Sequence, residues 1–216
     1  MLILGLNGSP NTAGNTVFML NQALEAAEEM GATTKLIHVA ELVETADKLF
    51  CDACTNPCAG VCYQDTPLEK LFELIRTADG IIMGSPVYFG TVAAPLKLLW
   101  DKSRALRKEK ALVDVVGAAL SVGASRFGGQ ESTVRVLQDM MLVHGMTLVG
   151  DGNYLDDPGH QGASAQKPAA EDPQSVERCR ILGRRVAMVA LATASLRQRR
   201  KGLIYGDQVA NGGIGT

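Results

Sequence analysis

The chain is 216 residues long, 46% hydrophobic and 20% charged, with a net charge of -2. This composition suits one soluble globular domain with a sizeable core and excludes the basic stripe that nucleic-acid binding requires. The apolar run in MLILGLNGSP is too short for a signal peptide and has no basic residue before it, and Val186 to Ala194 is too short to span a bilayer. A cytoplasmic protein with no membrane or nucleic-acid partner is expected.

Leu2 to Leu6 reads as a strand that stops at Asn7-Gly8-Ser9-Pro10, and Val17, Leu20, Leu24 and Ala27 give helical spacing from Asn15 to Met30. The alternation continues: strand Lys35 to Val39, helix Leu68 to Arg76, strand Gly80 to Gly84, helix Ala94 to Leu106, strand Leu112 to Val122 and helix Gln130 to His144. Met146 to Gly150 is a fifth strand and Ser175 to Ala194 a last helix. Strands separated by helices pair in parallel through crossovers, and runs such as Ile81-Ile82-Met83 fit a sheet covered on both faces. The expected fold is a flavodoxin-like, doubly wound α/β domain over residues 1–195. Its five-stranded parallel sheet has the order 2-1-3-4-5, and its ligand lies at the carboxyl ends of strands 1 and 3.

Two irregular stretches, 40–66 and 151–174, are too long for simple connectors and are expected to be functional or in interfaces. Residues 196–216 are expected to form a C-terminal tail. Its basic run Arg197-Gln198-Arg199-Arg200-Lys201 reads as solvated, and Gly202 to Thr216 as flexible.

The loop Gly8 to Thr16 joins the first strand to the first helix, where free backbone N–H groups favour a phosphate. It is not a nucleotide-triphosphate loop: five residues separate Gly8 from Gly14, and Asn15 stands where a lysine is needed. The dinucleotide glycine fingerprint is also absent. Ser9, Thr12, Asn15 and Thr16 are left as donors for a terminal phosphate monoester such as that of FMN, against the alternative of a simple helix cap. Gly84 to Gly90 and Ser121 to Gln130 follow strands 3 and 4, so three loops rich in small residues share one rim. Tyr88 and Phe89 offer aromatic faces for a flat ring, against the alternative that aromatics at a strand end pack in the core or an interface.

Four of the five cysteines, Cys51, Cys54, Cys58 and Cys62, fall in FCDACTNPCAGVCYQ. Their spacing would suit a helix stripe, but Pro57, Thr55-Asn56 and Gly60 argue against a helix there. Disulfides are disfavoured in a reducing compartment, and zinc knuckles usually lie further apart. An iron–sulfur cluster is commonly held by several cysteines in a short run; zinc and free redox-active thiols remain open. Cys179 reads as a small core residue, and His144 as a cation at a helix C-terminus with no catalytic role.

GSPNTAGNT, ADGIIMGSPVYFG, LKLLWDKSRALR, VGAALSVGASRFGGQES and VHGMTLVGDG, with the cysteine segment, resemble the NADPH-dependent FMN reductases and, within them, the iron–sulfur flavoproteins. The resemblance covers about two thirds of the chain in the same order. It implies FMN with Ser9, Asn11, Asn15 and Thr16 at the phosphate. Pro86, Val87, Tyr88, Phe89 and Gly90 would lie along the isoalloxazine edge, with Gly123, Ala124, Ser125, Gly128 and Gly129 closing the other side. It further implies a 4Fe–4S cluster on Cys51, Cys54, Cys58 and Cys62, although spacing alone leaves 2Fe–2S open, and a homo-oligomer, a tetramer or dimer. The sequence departs from the family at Asn11, where members carry a basic residue, and in its C-x2-C-x3-C-x3-C spacing.

With flavin and cluster in one chain, the expected function is electron transfer from a one-electron donor such as ferredoxin, or from NAD(P)H, to a small-molecule acceptor. The alternatives are an FMN-dependent NAD(P)H:quinone-type oxidoreductase without a cluster and a zinc-stabilised, flavin-free binding module.

Overall fold

The computed structural model describes residues 1–199 and Gly202. A parallel sheet runs in the order β2-β1-β3-β5-β6, with β1 at Leu2–Asn7, β2 at Thr33–His38, β3 at Gly80–Tyr88, β5 at Val116–Gly123 and β6 at Thr147–Leu148. This is the expected flavodoxin-like order, with seven strands rather than five. A two-residue β4 (Thr91–Val92) turns back antiparallel on β3, and β7 (Ala163–Gln166) pairs in parallel with β5.

The second addition has a local cause. β6 holds β5 at Val116 and Gly117, and β7 holds it at Leu120 to Gly123. Since β3 occupies the other edge of β5, β6 and β7 are two pieces of one interrupted fifth strand. The sequence hides the second piece because Ala163-Ser164-Ala165-Gln166 has no large apolar side chain. The fourth predicted strand also starts later than expected: residues 111–114 form turns, with Asp114 at φ 63°.

Helices cover both faces. α1 (Asn15–Glu29) and α7 (Pro173–Ala192) lie on one, over a core that includes Ile3, Ile82, Val116 and Leu120. α3 (Pro67–Thr77), α4 (Ala94–Lys102) and α6 (Gln130–Leu142) lie on the other, with Leu4, Leu6, Ile81, Met83 and Ala119. The alternation of Ile81, Ile82 and Met83 between the two cores is the period-two geometry of a strand buried on both sides. α7 approaches α1 so closely that a Cβ at Gly183 would stand 1.9 Å from the Ala23 carbonyl oxygen, so only glycine fits. Short helices α2 (Val39–Val43) and α5 (Arg104–Lys108) complete the fold; α5 takes the end of the predicted 94–106 helix after a break at Ser103.

The solvated reading of the basic run fails at Arg197. Residues 194–199 are helical, and the Arg197 side chain is buried against the Asp79 carboxylate, with Nε 3.1 Å from Oδ1. The flexible-tail expectation falls, apart from Gly202, outside the described residues. No helix among the described residues is long and apolar enough to cross a membrane.

Candidate functional site

β1 ends at Asn7, whose fully buried amide organises the loop that follows. Its Nδ2 donates to the carbonyls of Ser9 (3.3 Å) and Asn11 (3.1 Å), and its Oδ1 accepts from the Ser9 N–H at 3.1 Å. Ser9 Oγ in turn accepts from the Asn11 N–H, and Asn11 Oδ1 from the Ala13 N–H. The oxygens of Ser9 and Asn11 therefore shape the loop itself. Asn7 was not picked out in the sequence, though a polar residue closing an apolar run is a readable signal.

α1 opens after Gly14 with no side-chain cap, so its first-turn N–H groups face the loop without intrahelical acceptors. Asn15 Oδ1 accepts from the Ala169 N–H at 2.8 Å, which orients its amide with the NH2 group as the free end. Thr16 is buried and Thr12 exposed at the loop tip. An uncapped helix N-terminus framed by amide and hydroxyl groups fits a phosphate monoester.

The other two loops meet at the same rim, which Gly8 joins by donating to the Gly84 carbonyl at 2.8 Å. β3 continues past the predicted stop at Gly84, so Ser85 to Tyr88 are strand, and Phe89 and Gly90 form the turn into β4 at φ 50° and 80°. Phe89 is fully exposed, Tyr88 half-exposed, and Phe127 exposed beneath the Arg126 guanidinium. Gln130 ties the β5–α6 loop together: its amide donates to the carbonyls of Ser125 (2.6 Å) and Ala165 (3.3 Å) and its Oε1 accepts from Gly128 N–H. At Gly129, φ is 98°, and a Cβ there would lie 3.2 Å from Val87 Cγ1 and 3.3 Å from Gly90 Cα. Val87, Gly90 and Gly129 are thus brought together, while Gly123 and Ala124 bond to Lys167 and Gln166 on the far side. A cavity of about 900 Å³ opens between this loop, β7 and the start of α7, lined in part by Arg126, Phe127, Arg135 and Gln166.

The cysteine segment leaves α2 and has no regular structure except a 3-10 turn at Val61–Tyr63. All four of its cysteines are free; Cys54 is exposed and Cys51, Cys58 and Cys62 are half-buried. Among the described residues no three His, Cys, Asp or Glu side chains converge on a point that one metal ion could occupy. The four sulfurs nevertheless share one irregular loop. A cluster is wider than a single ion, and four unpaired thiols on one loop are the donor set it takes. Burial pushes the Cys62 thiol up, and the Lys102 ammonium, 3.7 Å from its Sγ, pulls the other way. Lys102 was not anticipated: forty residues separate it from Cys62, and only the fold unites them. Cys179 is fully buried, as expected of a core residue.

His144 is not the cation its sequence position suggested. Its ring is buried edge-on to Trp100, and its Nε2 lies 2.8 Å from Ser103 Oγ. That hydroxyl already gives its proton to the Trp100 carbonyl, so Nε2 is the donor and Nδ1 carries no proton. Nδ1 has no partner among the described residues, and burial with the nearby Arg107 charge lowers the imidazole to about 4.

The rim and the cysteine loop occupy opposite ends of α4. The helix starts beside the rim, where the Ala93 N–H donates to Ser85 Oγ, and ends at Lys102 beside Cys62. Nine residues of helix span roughly 13 Å.

A flavodoxin-like sheet with an uncapped helix start after its first strand and two further loops on its carboxyl rim fits the class of flavin-binding redox proteins. Residues 1–161 match the model of the family described as NADPH-dependent FMN reductase. An iron–sulfur flavoprotein of Methanosarcina thermophila is 41% identical over 173 residues, covering 80% of this chain and 86% of its own. Another, from Methanocaldococcus jannaschii, is 39% identical over 190 residues, covering 88% and 97%. A solved flavodoxin, WrbA-like protein from Agrobacterium tumefaciens shares the fold at TM-score 0.63 and 22% identity, covering 88% of this chain and 97% of its own. The chain belongs to the NADPH-dependent FMN reductase family and, within it, to the iron–sulfur flavoproteins. It is an FMN-dependent oxidoreductase, which sets aside the flavin-free binding module.

Proposed function

We propose that this oxidoreductase takes electrons from a one-electron protein donor such as ferredoxin, or from NAD(P)H, and delivers them to a small-molecule acceptor. Cys51, Cys54, Cys58 and Cys62 would hold an iron–sulfur cluster. Asn15, Thr16 and the first-turn N–H groups of α1 would hold the FMN phosphate. The ring would lie between Pro86 to Gly90 and Gly123 to Gly129. When bound, FMN exchanges one or two electrons and the cluster exchanges one, so the pair links one-electron to two-electron partners.

The observation that carries this reading is the placement of four free cysteines on one irregular loop, an α4 length away from the rim. The protein's own work is positional. Asn7 and Gln130 set the loops, Gly129 lets them touch, and the rim and the cysteine loop load independently. We also propose that the subunits form a homotetramer or homodimer that brings one subunit's cysteine loop towards a neighbour's rim; exposed Phe89, Phe127, Tyr154 and Leu155 support such contacts. Light scattering that finds only a 22.9 kDa species would count against it.

The test uses anaerobically prepared Cys54→Ser and Cys58→Ser variants. They are expected to lose iron sharply, retain FMN, and lose ferredoxin-dependent but not dithionite-dependent flavin reduction; Cys179→Ser retains all three. Variants that keep their iron or their ferredoxin rate would leave the quinone-type oxidoreductase as the function. Asn15→Ala with Thr16→Ala should weaken FMN binding, and unchanged affinity would place the phosphate elsewhere.

A further inference from the structure

Lys102 sits in the last turn of α4, where a lysine ordinarily extends into water and answers the helix dipole. Lys97 on the same helix does so, half-exposed and paired with Asp101 at 2.6 Å. Lys102 turns inward instead: it is 1% exposed and among the largest fully buried side chains. Among the described residues its ammonium has no carboxylate within ion-pair distance, and its hydrogen-bond partner is Cys62 Sγ at 3.7 Å. A buried ammonium without a neighbouring negative charge is strongly disfavoured. A neutral thiol does not supply that charge; a thiolate that binds iron does.

We propose that Lys102 is a built-in counter-cation for the iron–sulfur cluster, an ammonium held out of water against the Cys62 ligand that promotes cluster loading and raises the cluster's reduction potential. This rests on the cluster reading above and adds the residue that sets its charge balance. A cluster held by Cys62 would gain one more negative charge on one-electron reduction, and the burial of Lys102 would make that attraction count for more than in water. The rim, at the other end of α4, is outside its reach.

The experiment compares Lys102→Met, a neutral residue of similar length, and Lys102→Arg with the parent, all as full chains prepared anaerobically. Iron content, cluster and flavin midpoints by spectroelectrochemical titration, and melting of the iron-free and loaded forms are measured. Lys102→Met should lower the equilibrium constant for cluster reduction at least about tenfold, or about 59 mV for a one-electron couple. It should leave the flavin midpoint in place, lose iron faster, and melt no lower than the iron-free parent, because a buried charge has been removed. Lys102→Arg should recover most of the potential. A loaded parent and a Lys102→Met variant with the same cluster midpoint would make Lys102 a packing residue and overturn the proposal. An iron-free Lys102→Met chain that melts lower or fails to fold would overturn it too. A parent that binds no iron would instead bring down the cluster reading, and this proposal with it.

Discussion

The Asp79 carboxylate accepts from the backbone N–H of Leu2 at 2.9 Å and from Arg197 Nε at 3.1 Å, so one side chain before β3 fastens both the first strand and the helix after α7. Arg197 also donates to Thr193 Oγ1 at 2.7 Å and to the Ala190 carbonyl. Its side chain is 3% exposed against 24% for Asp79, so the pair is only partly screened. Arg197→Met should destabilise the fold by roughly 2 kcal/mol, below the range for fully buried pairs. Urea unfolding midpoints measure this, and a change under about 0.5 kcal/mol, typical of an exposed surface site, would return Arg197 to the solvated class.

Gly129→Ala would place a methyl group between Val87 and Gly90 at a φ that L residues resist. The backbone penalty is about 1–2 kcal/mol, and the displaced Gly90 turn should weaken FMN binding at least about tenfold. Gly31→Ala is the control: φ there is 85°, but nothing lies within 4 Å of the added Cβ. It should lose comparable stability with unchanged flavin affinity by fluorescence titration. Equal losses of affinity in both variants would remove Gly129 from the flavin rim.

His144 makes a definite pH prediction. Its folded value, about 4, lies below the ordinary 6.5 because burial and Arg107 disfavour the imidazolium. Above pH 6.5 both folded and unfolded chains carry a neutral ring, and the contribution is fully present. As pH falls from 6.5 towards 4 only the unfolded state takes up the proton, so stability drops, by roughly 3 kcal/mol in all, and the loss levels off once the folded ring also protonates. Subtracting the stability–pH profile of His144→Gln isolates this component. Parallel profiles would mean that His144 titrates normally.

Burial holds the Cys179 thiol far above its ordinary range. Iodoacetamide at pH 8 should therefore add to four sulfurs of the folded, iron-free chain and reach the fifth only on unfolding, with mass spectrometry as the readout. Cys62, whose thiol burial pushes up, should be the slowest of the four. Modification of Cys179 at the rate of Cys54 would show that α7 opens readily.

The strand order was legible because β1, β3 and β5 are apolar on both faces and separated by helices, leaving few alternatives for the crossovers. The glycine-rich rim was legible for a related reason: turns at strand ends restrict residue type locally. What escaped depends on partners far apart in the chain. Nothing near Gln130 shows that its amide will close the 125–128 loop and reach Ala165. Nothing near His144 reveals Ser103, and the basic composition after residue 196 suggests water where Asp79 stands. The four cysteines were conspicuous; the buried ammonium beside them was not, since a lysine at the end of a helix reads as a surface residue.

The interruption between β6 and β7 is closed on itself. Asp151 N–H meets the His160 carbonyl at 3.2 Å, Asn153 N–H the Asp157 carbonyl at 2.9 Å, and Asp157 is clamped by Arg178. With the neck pinned, Asp156 paired with Arg184 of α7 at 3.3 Å and each half-strand registered separately on β5, Tyr154 and Leu155 form an exposed tip outside the strand pairing. Lengthening a closed loop costs only about 0.6 kcal/mol per doubling. The fold therefore offers a graft point between Tyr154 and Leu155, where a spliced-in peptide tag would leave the register of β5 in place and disturb only the subunit contacts proposed for those two side chains.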